Sequence, residues 1–187
     1  IICNGQITSV NVNAFGGTPP YIGTGIVSAY GGPNTFTVRD ANNATAIASI
    51  DIPQPSALNV NLTSGAILSF GGSTTITANA AGGVAPYQYK LDNGNYLSTS
   101  LFSGVLAGIH TISVKDSNGC LTSSNITLTQ PSSPLTATIT QDSVIRCNGG
   151  NTTIKIVASG GVAPYTGIGT FNVNAGTYNY TVTDANG

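Results

Sequence analysis

Few residues in this chain could do chemistry, and their types restrict it. There is one histidine, His110, in phase with Ile112 and Val114 on an alternating apolar stretch. A metal or nucleophile role would need a second His, a Cys or an Asp brought to it by the fold, and no second His exists. Its setting therefore reads as structural. All six acids are Asp, at positions 40, 51, 92, 116, 142 and 184. Glycoside hydrolysis needs two carboxylates converging in a cleft. Asp40, Asp116 and Asp184 instead hold one position in three recurring segments, so they do not converge. Each opens a D-x-N turn, in which the carboxylate bonds nearby backbone N–H groups. Hard oxygens also make these three the candidate calcium ligands, and no other cofactor is expected. Tyr21, Tyr87 and Tyr165 follow a Pro at a second repeated place. They either pack a strand or form stacking platforms for sugar, and they are the candidate ligand-binding residues. Gly-Gly pairs precede them, but no GxxxxGK[ST] follows, so a phosphate loop is not indicated.

The elements that must position these residues follow from composition. Only 6% of the 187 residues are charged, and Glu is absent. Strong helix formers give way to Thr, Val, Ser, Asn and 24 Gly, which favours strands joined by tight turns. Hydrophobic residues reach 40%, enough to bury a core. Five scattered Lys and Arg leave a formal charge of −1, which is no footprint for nucleic acid. No apolar run approaches the length of a transmembrane helix.

Self-comparison shows three copies of one pattern. GGTPPY (16–21) recurs as GGVAPY at 82–87 and 160–165, and TVRDANN (37–43) recurs as SVKDSNG (113–119) and TVTDANG (181–187). QPS stands at 54–56 and 130–132, and CNG stands at 3–5 and 147–149, with Ser69-Phe70-Gly71 in its place in the middle copy. The spacing predicts an all-β chain of three tandem immunoglobulin-like or PKD-like sandwich modules: 1–54 lacking its first strand, 55–131 complete, and 132–187 lacking its last strand. In the middle copy the expected strands are A 58–62, B 74–80, C 87–91, F 110–115 and G 121–129. An extra hairpin on Asn93-Gly94 is expected to account for the added length at 91–104. Modules about 30–35 Å long would make a rod of roughly 100 Å. The terminal copies are expected to obtain their missing strands from flanking chain.

CNGG (147–150), SGGVAPY (159–165), AGTYNYTVTDANG (175–187) and DSNGC with TLTQPSSPLTATI (116–139) together resemble the SprB repeat. That resemblance implies a non-enzymatic, adhesive segment of a giant gliding-motility adhesin of Bacteroidetes. Such a protein is exported by type IX secretion and displayed on the cell surface as an outer-membrane-attached filament. Its implied partners are the secretion and gliding machinery and a polysaccharide or solid substratum. A glycan-binding module in its own right, or the stalk of a secreted enzyme, are the alternatives. The resemblance also makes Asp142-Ser143-Val144 an O-glycosylation triplet with Ser143 as acceptor.

The family pattern carries one Cys in CNG and another after D-x-N-G, and implies that the two meet within a module. Here Cys3 faces Ala44, Cys120 faces Ser69, and the partner of Cys147 would follow Gly187. Cys120 and Cys147 are separated by a strand, a Pro-marked joint and another strand, roughly 60–90 Å if these run in line. The expectation is therefore no disulfide among the three.

Overall fold

The computed structural model describes residues 1–187 and is built of thirteen strands with no helix. The middle copy shows the repeat in full. β5 (Asn59–Ser64), β6 (Thr74–Ala81) and β8 (Leu101–Val105) form one antiparallel sheet in the order β5-β6-β8. β7 (Gln88–Leu91), β9 (Gly108–Lys115) and β10 (Leu121–Leu128) form a second, in the order β10-β9-β7. These two sheets carry the expected A, B, C, F and G strands to within about two residues at each end. Small open sheets without barrel closure are the architecture of immunoglobulin-like sandwich modules.

The insertion differs from expectation. Asp92, Asn93 and Gly94 do turn the chain, and Leu97 returns to pair with Tyr89. Residues 101–105, however, are not part of the extra hairpin. They form β8, which pairs with β6 and has counterparts in the other copies. The first ten or so residues of 91–104 are thus the added ones, and they lengthen strand C. That strand shrinks to the single bridges Ile22↔Arg39 and Thr166↔Thr183 elsewhere.

In the first copy β1 (Ile7–Val12) pairs with β2 (Gly25–Tyr30), and β3 (Gly32–Arg39) pairs with β4 (Thr45–Ile52). No strand lies on the far side of β1. In the third copy β12 (Asn151–Ser159) sits between β11 (Thr136–Gln141) and β13 (Gly169–Asn174).

By backbone proximity the chain divides into two compact units, residues 1–62 with 78–100 and 111–125, and residues 63–77 with 101–110 and 126–187. Both draw on the middle copy. In the first, Ala78, Tyr89, Ile112 and Val114 are buried; in the second, Ile67, Ile76, Phe102, Val105 and Ile156 are. Period-2 alternation puts Ile112 and Val114 on the same face of β9, and both are fully buried. Val114→Ala is expected to destabilise the fold by about 1–3 kcal/mol, from lost transfer energy and an unfilled cavity. Chemical denaturation checks this, and an unchanged midpoint would contradict the packing of β9.

Candidate functional site

The repeated residues meet in one corner, built the same way three times. A Gly-Gly pair with left-handed φ turns the chain (Gly16 and Gly17, Gly82 and Gly83, Gly160 and Gly161), and a cis X-Pro bond follows at Pro20, Pro86 and Pro164. The next residue is the tyrosine. Tyr21, Tyr87 and Tyr165 are half-buried, and each donates its hydroxyl to the first glycine's carbonyl, at 2.5, 2.7 and 2.7 Å. The ring closes the turn from below and its polar tip is consumed in doing so. The tyrosine hydroxyls therefore brace the turn.

The aspartates join this corner to the turn after strand F. Oδ2 of Asp40, Asp116 and Asp184 accepts the N–H of Thr18, Val84 and Val162, just past the glycines. Oδ1 accepts the N–H of the Asn two residues on, Asn42, Asn118 or Asn186. In the first two copies it also accepts from Ala44 or Cys120, at 2.9 and 2.8 Å. One carboxylate thus clamps two turns. The donors around it are all N–H groups, whose positive ends suit the anion. No three His, Cys, Asp or Glu side chains gather anywhere in the chain. The Thr18 N–H, opposed by desolvation and aided by Ala44 and Asn42, holds the Asp40 carboxyl below its ordinary range. Burial pushes Asp116 up, but N–H donors led by Val84 outweigh it and its pKa is also lowered.

Ser143 is exposed in the loop after β11, with its carbonyl accepting from the Thr152 hydroxyl. His110 lies on β9 with Nε2 3.0 Å from the Leu106 carbonyl.

The cysteines correct the sequence reading. Cys3 and Cys120 form a disulfide, with Cα atoms 5.6 Å apart, and Cys147 is free and exposed. Because Asp116 ties the D-S-N-G turn to Val84, just past Gly83, that turn lies at the Gly-Gly end of its copy. Strand B separates this end from the A–B turn. The two cysteine positions of one repeat are therefore at opposite ends, not close enough to meet within a module. In the third copy the nine residues of β12, about 30 Å at ~3.3 Å each, lie between Cys147 and the end of the copy that holds the Asp184–Gly187 turn. The bridge instead spans a joint between copies. Residues 54–56 bring the second copy's Gly-Gly end beside the first copy's A–B turn. Gly5 N–H donates to Gln54 Oε1, Gly83 N–H donates to the Ser56 carbonyl, and Asn118 donates to the Ile2 carbonyl. The next joint repeats this, with Gly71 to Gln130, Gly161 to Ser133 and Asn186 to Leu68. There Ser69 stands where Cys3 would be, and no bridge forms. Recurrence of QPS and CNG was the available signal for these joints, but read separately the two motifs gave only a boundary and a turn.

Residues 70–96 match the family model of the SprB repeat. They run from the A–B turn of the middle copy through its Gly-Gly corner, Tyr87 and β7. The SprB repeat is a structural repeat of surface adhesin-like proteins and is not an enzymatic family. In the matched stretch, the Gly82-Gly83 turn and Tyr87 are joined by the hydroxyl bond described above. Comparison with curated proteins returned no match.

Proposed function

We propose that this chain is a structural segment of a giant cell-surface adhesin that holds an adhesive region away from the cell. It would serve gliding motility and attachment to polysaccharide or solid surfaces, after export by type IX secretion. The observation that carries this reading is the joint. Two successive linkers dock the same groups, one of them covalently, in a chain whose middle copy matches the SprB repeat. Such docking suits transmitting load, and the repeated polar side chains are occupied by turn hydrogen bonds. Of the alternatives, a glycan-binding module would use aromatic and polar groups at a repeated place, whereas the hydroxyls of Tyr21, Tyr87 and Tyr165 are held in turn hydrogen bonds. No helix is long and apolar enough to cross a membrane.

The test has two arms. The isolated chain, immobilised on beads, is expected to show no saturable binding to a glycan array. Deleting the segment from the parent protein is expected to weaken cell attachment under flow while leaving the specificity of attachment unchanged. Glycan binding by the isolated chain that is lost in Tyr87→Ala would replace this reading with the glycan-binding one.

A further inference from the structure

The first joint holds a reactive dipeptide as well as the disulfide. In an Asn-Gly pair the glycine's backbone nitrogen can attack the asparagine side-chain carbonyl carbon, because glycine carries no Cβ to obstruct the approach. A hydrogen bond on that N–H, or on the side-chain amide, keeps the two groups apart. At 93–94, 118–119 and 186–187 the glycine N–H is held locally, by the carbonyl three residues before it.

Asn4-Gly5 is held from across the joint instead. Gly5 N–H donates to Gln54 Oε1 and Asn4 Nδ2 donates to the Pro55 carbonyl, each at 2.9 Å. The Gln54 amide is seated across Gly31, where a Cβ would overlap it. Asn4 and Gly5 are both exposed, so water reaches them. Asn4 also shares a cavity of about 200 Å³ with both bridged cysteines, Cys3 and Cys120. The second joint keeps the scaffold without the chemistry. Gly71 N–H donates to Gln130 Oε1, but Ser69 and Phe70 stand where Cys3 and Asn4 do in the first.

We propose that Asn4-Gly5 is a deamidation site that the docked first joint holds off and that opening of the joint releases. A small thiol entering the shared cavity reduces the bridge, and residues 54–55 then leave the dipeptide. The Gly5 nitrogen gives its proton to hydroxide and adds to Asn4 Cγ. Asn4 Nδ2 takes a proton from water and departs as ammonia, leaving a five-membered succinimide. Water opens the ring at one of its two carbonyls, giving aspartate or isoaspartate. One water is consumed and one ammonia released, with no change of oxidation state. The product has no amide N–H for Pro55 and sets a carboxylate against that carbonyl, acceptor against acceptor. Isoaspartate also adds a methylene to the main chain at the joint. The joint then cannot dock as before, so its opening is recorded covalently.

The test incubates the oxidised chain, and the chain in dithiothreitol, at pH 8 and follows Asn4 and Asn93 by peptide mapping that separates aspartate from isoaspartate. Reduction is expected to speed conversion of Asn4 roughly tenfold, through loss of two hydrogen bonds, and to leave Asn93 unchanged. Gln54→Ala, at an exposed position and with folding checked by circular dichroism, is expected to speed Asn4 in the oxidised chain as well. Gln54→Glu keeps an acceptor for Gly5 and should restore the protection. Asn4→Asp copies one product and should leave a smaller fraction of Cys3–Cys120 bridged in a glutathione redox buffer. The proposal is overturned if Asn4 converts at one rate oxidised and reduced, or if Gln54→Ala leaves that rate unchanged. It is also overturned if reduction speeds Asn93 equally, which would mean general unfolding. An unchanged bridged fraction in Asn4→Asp would overturn the recording step.

Discussion

Replacing Cys120 with serine is expected to lower the thermal midpoint of the oxidised protein by roughly 10 °C or more. The Cys3–Cys120 bridge closes a loop of 117 residues. A cross-link restricts the unfolded chain more as the loop lengthens, and a loop on the order of 100 residues corresponds to about 4–5 kcal/mol in the chain-entropy account. For a chain of this size, each kcal/mol moves the midpoint by about 2–4 °C. The bridge also sits where Asn118 reaches the Ile2 carbonyl, so its loss loosens that joint. Calorimetry with and without dithiothreitol checks this. Reductant should move the unsubstituted protein to the midpoint of the Cys3→Ser, Cys120→Ser double variant and leave that variant unmoved. Peptide mapping that joined Cys147 to either partner would contradict the assignment.

The second large effect is expected at Asp116. Its carboxylate is buried at 3% exposure and accepts from Val84, Asn118 and Cys120 at 2.9, 2.9 and 2.8 Å. Asp116→Ala strands these donors and releases two turns at once, at the end of the copy that carries the disulfide. These part-buried donors lose an ionised partner together, so alanine should cost more than an ordinary surface change. Asp116→Asn keeps one acceptor and sets an NH₂ against a backbone N–H, so it should fall between. The carboxyl is held below its ordinary range, so the folded state favours the charged form. The resulting stability is present above the unfolded-state value and is lost as pH falls through the folded-state value. Denaturation midpoints measured from pH 6 downward should therefore drop below about pH 4, more steeply for the unsubstituted protein than for Asp116→Asn. Equal slopes would mean that other carboxylates govern acid unfolding.

Strand positions and their phases were legible in the sequence because they rest on local pattern. Ile76, Ile112 and Val114 alternate with polar neighbours, and a one-residue slip would have turned all of them outward. The Gly-Gly and D-x-N-G turns were legible for the same reason. What joins the turns was not. Asp116 and Val84 are 32 residues apart, and no periodicity reports that one side chain caps both ends of that span. From that omission came the misplaced cysteines, since only the clamp reveals which end of the sandwich the D-S-N-G turn occupies. β8 was missed as a shared strand because the added residues beside it displaced it from the alignment of the other two copies.

The bridge across the first joint also decides how the chain would answer a pull. Tension entering at Ile1 and leaving beyond Leu121 passes from Cys3 to Cys120 through the S–S bond, bypassing everything between. Those 117 positions, about 400 Å of chain at ~3.4 Å per residue, are taken out of the path and cannot be drawn out while the bond holds. Beyond Leu121 the second joint offers hydrogen bonds but no covalent shortcut, because Ser69 stands where a cysteine would be. A stretched oxidised chain should therefore yield first after residue 121. Reduction would expose a long reserve of slack ahead of it, turning a stiff tether into an extensible one.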